Sequence, residues 1–176
     1  RDKTLLLTGA TGFLGKALVE KILRELPDVR RIVLLIRPRL PRPSESEAEL
    51  SIRARAQREI FSSRIFDRLR VIHEDRFESF VNEKVQLVAG DVCSPDLGLS
   101  DKTTRRLAAE VDIVINNAAV VAFDERIDRA VTSNTMGSLH LLEFAKRCRD
   151  PILLHVSTAY VSGRRTGFIP ETILTP

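Results

Sequence analysis

Gly9, Gly12 and Gly15 recur at every third residue in the stretch TGATGFLG, behind the apolar run Thr4–Leu7 and ahead of an amphipathic segment. A strand that hands over to a helix through such a turn can hold a pyrophosphate. The first glycine permits the tight turn, the second lets backbone N–H groups approach the phosphates, and the third lets the helix pack close to the sheet. The phosphates then meet the free N–H groups and the positive dipole end of the helix. Thr8, Gly9, Thr11, Gly12, Phe13, Leu14 and Gly15 are therefore the candidate cofactor contacts here, with a tight turn that binds nothing as the alternative.

Arg37 is the next candidate. It ends the apolar run VLLI about 20 residues beyond Gly15, where dinucleotide folds contact the adenosine ribose. An Asp or Glu there accepts from the 2′-OH of NAD, whereas an Arg accommodates the 2′-phosphate of NADP. No acid neighbours Arg37 in the sequence, and Arg39 and Arg42 add positive charge. NADPH is the expected cofactor, with the Arg37 fork on its phosphate. The alternative is a solvent-facing arginine at a strand end.

The elements that must position these residues follow from the apolar patterning. Thr4–Leu7, Arg31–Ile36, Val85–Ala89, Val111–Ile115 and Ile152–Val156 are short continuous runs, which read as parallel strands buried on both faces. Leu14, Leu18, Ile22 and Leu26 form a helical stripe with Ala17, stopped by Pro27. Ile127, Ala130, Val131, Ser138, Leu141, Leu142 and Ala145 form another. Asn134 falls on that second stripe, seven residues from both Ile127 and Leu141. A buried amide there must be bonded, either as a satisfied core residue or as the anchor of a water in a proton relay. The alternation implies a doubly wound α/β sheet, a Rossmann fold, over residues 1–176. It carries a helical insertion at 38–84 between the second and third strands. PRLPRP is expected to be a stiff connector, Ser44 with Glu47 a capping box, and 45–62 a helix, followed by a second helical piece at RIFDRLR.

Composition bounds the partners. The chain has 176 residues, is 43% apolar and 30% charged, and carries a net charge of +4, as ordinary globular domains do. The excess suits an anionic ligand or a solvated face, and is too small to indicate nucleic acid. No apolar stretch is long enough to cross a bilayer, and the N-terminal stretch lacks a signal-peptide layout. A cytoplasmic location is expected. Cys93 and Cys148 have no metal spacing and read as reduced thiols, a disulfide being the alternative. His73, His140 and His155 are too scattered for a metal site, so none is expected. His140 reads as a helix-surface residue.

TGATGFLG resembles the glycine motif of the extended short-chain dehydrogenase/reductase superfamily. The resemblance implies that GDV, after the third strand, holds the adenine through Asp91 and Val92. It likewise implies that NNAA, after the fourth strand, lines the nicotinamide pocket through Asn117, Ala118 and Ala119. HVSTAYVSG, after the fifth, places Thr158 in the catalytic Ser/Thr position, its hydroxyl bonding the substrate carbonyl. A threonine that only satisfies backbone groups at a strand end is the alternative for Thr158, and Ser157 is the weaker candidate. Asn134 matches the superfamily's active-site Asn.

The opening KTLLLTGATGFLGKALVEKILRELPDVRRIVLLIRP, with IFDRLR, AAVVAFDE and HVSTAY, is similar to the fatty acyl-CoA reductases of the thioester-reductase branch. NNAA departs from that family, which often carries a histidine in place of Asn116 or Asn117. The resemblance implies NADPH-dependent reduction of a fatty acyl-CoA or acyl-carrier thioester to an aldehyde, in some members onward to an alcohol. An epimerase or dehydratase of nucleotide sugars and a non-catalytic dinucleotide-binding module are the alternatives. The superfamily's YxxxK acid pair is not found up to Pro176, where Tyr160 is followed four residues on by Arg164. The expectation is a cofactor-binding portion, incomplete at its C-terminal side and inactive alone. Its open sheet edge would be covered by a partner such as a second copy, and lipid substrates would bring a membrane surface near.

Overall fold

The computed structural model describes residues 2–39 and 44–172. Most of the expected PRLPRP connector, residues 40–43 including Arg42, lies outside the described residues. Five strands, β1 (Thr4–Thr8), β2 (Arg31–Ile36), β3 (Val85–Ala89), β4 (Ile113–Asn116) and β5 (Ile152–His155), form one sheet in the order β3-β2-β1-β4-β5. Every pairing is parallel; Leu6 at the centre faces Val33 on one side and Val114 on the other. Residue alternation along these strands divides the interior into two cores. Leu5, Leu7, Ile32 and Leu34 face one, and Leu6, Val33, Leu35 and Val114 the other. Helices cover both faces, so the sheet is doubly wound.

α1 (Phe13–Glu25) packs on the first face, but not through the expected stripe. Gly15, Val19 and Leu23 are fully buried, Leu18 and Ile22 are partly buried, and Leu14 and Leu26 are exposed. The inward face is thus centred one residue later than the leucine spacing suggests. The reason is Gly15: the helix packs where it has no side chain.

The 38–84 segment completes the same face. Ser44 caps α2 (Glu45–Ala56): its Oγ accepts the Glu47 N–H while the Glu47 carboxylate accepts the Ser44 N–H at 2.8 Å. The helix ends in a wider π turn, Gln57–Phe61, and is followed by α3 (Asp67–His73) and α4 (Phe77–Lys84), the latter not foreseen. Ile52, Ile60, Phe66 and Leu69 from this segment are fully buried against β2 and α1. Phe66 lies edge-on between Phe61 and Phe77. Truncating one such ring costs about 3–5 kcal/mol, so the insertion is a load-bearing layer of the core and not an appendage.

On the second face lie α5 (Asp101–Glu110) and α7 (Gly137–Arg147), which bury Leu107, Leu141 and Phe144. Val111, expected to begin β4, instead closes α5, its N–H bonding the Leu107 carbonyl at 2.8 Å. β5 departs from the expectation of burial on both faces: Ile152, Leu153 and Leu154 are exposed on this edge strand.

Asp112 pins the strand starts together. Its carboxylate accepts from the Thr4 N–H and the Lys3 ammonium, each at 2.8 Å, and its carbonyl accepts from the Ile152 N–H. The Lys3 bond, with the Thr4 N–H, holds its pKa below the ordinary value of 3.8. A carboxylate with a lowered folded-state pKa stabilises above its unfolded value, and that stability is lost as pH falls through the folded value. Asp112→Asn should therefore lower stability by about 1–2 kcal/mol at pH 7 in urea unfolding. The difference from wild type should shrink once the pH falls below about 4.

Candidate functional site

The site begins at the tip of β1. Gly9 adopts φ +70°, and a Cβ there would lie 2.5 Å from the Asn117 carbonyl oxygen. A Cβ on Gly15 would lie 2.1 Å from the Gly9 carbonyl oxygen. Both positions exclude any side chain, and together they press the first turn of α1 and the loop after β4 onto the same stretch of backbone. Thr8 fastens this junction. Its buried hydroxyl accepts the N–H groups of Asn117 and Ala118, each at 3.1 Å. Its own proton is directed to the Ile115 carbonyl or the Asn116 side chain.

A cleft of about 550 Å³ opens at the carboxyl ends of the strands. Residues Thr8 through Leu14 line it, together with Arg37, Asp91, Val92, Asn117, Ala118 and Ala119. Gly15 stands just behind them, buried. All the cofactor-contact candidates are thus brought to one place. The N-terminus of α1 has no side-chain cap and no acidic residue in its first turn. The N–H groups of Phe13, Leu14 and Gly15 have no partner within the helix, so the dipole end is left for an anion.

Arg37 is exposed and stands 3.9 Å from Asp91, so the sequence's lack of a neighbouring acid is made good by the end of β3. Arg39, counted as added positive charge, is instead paired with Glu59 at 2.6 Å. Burial alone would raise the Glu59 pKa, but the Arg55 hydrogen bond and the charges of Arg55 and Arg39 hold it below the ordinary range.

Sequence reasoning missed Arg55. Its side chain, 13% exposed, reaches from α2 into the cleft. It donates to Glu59 at 3.0 Å, to the Arg37 carbonyl at 2.7 Å and to the Thr11 hydroxyl at 3.4 Å. It thereby ties the enlarged crossover to both the glycine loop and the end of β2. Nothing in the repetitive RARAQRE stretch distinguishes it from its exposed neighbours.

Asn134 and Thr158 do not line the cleft. Asn134 is exposed, contrary to its place on the apolar stripe. Between α6 (Ile127–Ala130) and α7, residues Val131–Met136 form a π turn. Neither α6 nor this turn buries a residue: Ile127 is 78% exposed, whereas Leu141 and Ala145 of α7 are buried. The Asn134 amide is nonetheless engaged at both ends: Oδ1 accepts the Val120 N–H at 2.8 Å and Nδ2 donates to the Val120 carbonyl at 2.9 Å. Thr158 is exposed and accepts the Tyr160 N–H at 3.2 Å, the backbone-satisfying contact named as its alternative. Its own O–H remains free to donate. β5 ends at His155, so strand alternation does not extend to these residues, and Ser157 is the hydroxyl that lines the cleft.

Asn116, buried beneath the cleft, donates to Ser138 at 3.1 Å and lies 3.0 Å from His155 Nδ1. Both cysteines are free thiols. Burial pushes Cys148 up to about 11, and burial with the Asp91 charge raises Cys93, so neither is primed as a nucleophile. Among the described residues no cluster could hold a metal ion, and no helix is long and apolar enough to cross a membrane.

Strand order, glycine turn and cleft define an α/β domain of the dinucleotide-binding type. A family model for NAD-binding domains described as "Male sterility protein" matches residues 7–176, and the chain belongs to that family. It is 45% identical over 174 residues to a probable fatty acyl-CoA reductase 5 of Arabidopsis thaliana, covering 97% of this chain and 34% of that protein. It is 42% identical over 172 residues to an alcohol-forming fatty acyl-CoA reductase of Simmondsia chinensis, covering 97% of this chain and 33% of that protein. Among solved structures, the terminal R domain of the myxalamid PKS-NRPS biosynthetic pathway superposes with a TM-score of 0.71 at 31% identity. That match covers 90% of this chain and 35% of the other. The chain thus spans about a third of the length of these relatives.

Removing the Thr8 hydroxyl tests the junction. Thr8→Val leaves two part-buried N–H groups without their partner and should cost about 1–3 kcal/mol, whereas Thr8→Ser should stay within about 1 kcal/mol of wild type. Urea unfolding of the three proteins measures this directly.

Proposed function

We propose that this chain is the NADPH-binding part of a reductase acting on fatty acyl thioesters, either acyl-CoA or carrier-bound, to give an aldehyde or, after a second reduction, an alcohol. One observation carries the cofactor assignment: the uncapped N-terminus of α1 and the guanidinium groups of Arg37 and Arg55 all border one cleft. The glycine turn and the first N–H groups of α1 suit a pyrophosphate. Arg37, exposed at the end of β2, suits a 2′-phosphate, and Arg55 adds charge between that point and the glycine loop. A plain ribose hydroxyl would leave the exposed Arg37 guanidinium without a charged ligand, which speaks against an NAD-dependent sugar epimerase.

Bound there, the cofactor supplies hydride. The chain's own residues shape the surroundings of that hydride. Asn117, Ala118 and Ala119 form the wall beside the glycine loop, and Asn134 holds the adjoining Val120 peptide in place. The free O–H of Thr158, or that of Ser157 at the cleft, would donate to the thioester carbonyl oxygen as charge develops on it. The acyl-thioester substrate is supported by the likeness to fatty acyl-CoA reductases.

In the full-length protein, NADPH should bind at least tenfold more tightly than NADH by calorimetry. Arg37→Ala should weaken NADPH by about tenfold and leave NADH within about twofold. A long-chain acyl-CoA should drive NADPH oxidation, followed by the loss of reduced-nicotinamide absorbance. Equal affinity for the two cofactors would refute the Arg37 assignment, and oxidation that ignores the acyl-CoA would refute the reductase.

A further inference from the structure

We infer that His140 is a positioning residue for the adenine half of the cleft; the inference rests on the dinucleotide reading above. α7 meets the loop after β3 at two points. A Cβ on Gly137 would lie 3.2 Å from Val92 Cγ2, so the absent side chain sets how closely the helix approaches. One turn further on, His140 Nδ1 lies 2.8 Å from the Val92 carbonyl oxygen. A carbonyl can only accept, so the ring must carry its proton on Nδ1.

The loop's other backbone bonds lie within it or toward the sheet, and the Cys93 side chain meets Ser133 in the turn before α7. Gly90 donates to the Ile36 carbonyl at 3.1 Å and Asp91 to the Leu97 carbonyl at 2.8 Å. Asp91 Oδ1 accepts the Cys93 N–H at 3.0 Å. Among the described residues, His140 is the one side chain from another element that bonds the Val92–Cys93 peptide. Val92 and Asp91 line the cleft, with Arg37 beside Asp91, on the far side of the glycine loop from Asn117. Without the imidazole, a partly buried carbonyl loses its partner and the loop turns to solvate it. That carries Val92 and Asp91 away from the cleft wall. His140 does not itself line the cleft; it acts through Val92, which does.

The test compares His140→Leu, which removes the donor, with His140→Asn, whose amide nitrogen can replace Nδ1. Both are made in the full-length protein. The probes are NADPH, adenosine 2′,5′-bisphosphate, which carries only the adenine half, and reduced nicotinamide mononucleotide, which lacks it. His140→Leu should weaken NADPH and the bisphosphate by about tenfold, and His140→Asn should recover to within about twofold. The mononucleotide should bind all three proteins alike. If the leucine variant does not fold, His140→Gln, with its donor one bond further out, should give the same selective weakening. Wild-type affinity of the leucine variant for the bisphosphate would overturn the inference while leaving the cofactor reading intact. So would equal weakening of the mononucleotide, or an asparagine variant no better than leucine. A wild-type protein that binds neither NADPH nor the bisphosphate would overturn both.

Discussion

Three segments of backbone meet at Gly9, and the remaining architecture depends on how closely they do so. The Gly9 carbonyl abuts the first turn of α1 at Gly15, and its Cα abuts the carbonyl of Asn117. A methyl group at either glycine would push α1 off the sheet or the β4 loop off the turn. Because Gly15 carries nothing, α1 rests on the sheet through Val19 and Leu23 and its N-terminus ends at the mouth of the cleft. The packing of the core and the placing of the helix dipole are thus one constraint. Thr8 adds the polar part, since its buried hydroxyl accepts from two part-buried N–H groups of the β4 loop.

The parts of the fold legible in the sequence are those fixed by local rules. Four of the five expected strands match within a residue at each end, because continuous β-branched runs have few other uses in a two-faced sheet. The Ser44–Glu47 capping box reads directly from spacing, because both of its bonds join residues three apart. The glycine turn reads equally well, and with it most of the cleft. What failed depended on contacts distant in the sequence. The face of α1 is set by its approach to Gly9, not by where its leucines fall. Asn134 is exposed because neither α6 nor the π turn that contains it packs a residue into the core, which an apolar stripe cannot announce. His140, taken for a surface residue, is half-buried and bonded across 48 positions of sequence. β5 reads as an interior strand by composition but lies on the sheet edge, which topology decides and local pattern does not.

Charge around the cleft is organised rather than merely abundant. Arginines crowd this end of the molecule, yet most are already engaged. Arg39 and Arg58 are held by Glu59, and Arg55 spends its N–H groups on Glu59, Arg37 and Thr11. Arg37 differs: among the described residues its ion-pair partner is Asp91, at the limiting distance of 3.9 Å, and its side chain is exposed. An anion arriving there would gain a partner without breaking a strong one. That is the arrangement expected of a specificity-setting arginine, as opposed to one that braces the fold.

Arg55 links the two halves of this account. The crossover between β2 and β3 could have been a single helix; here it is a layer that buries Ile52, Ile60, Phe66 and Leu69 on one whole face of the sheet. Such a layer can change the rim of the cleft only if something rigid connects them. The buried guanidinium of Arg55 does so, being anchored at Glu59 on its own helix turn and extended to the glycine loop and the β2 end. Its planar fork fixes the distance between those two points, which a lysine could not do. The crossover therefore contributes more than buried area. Through Arg55 it ties the glycine turn to the end of β2 and so sets the separation of those two points on the rim of the cleft.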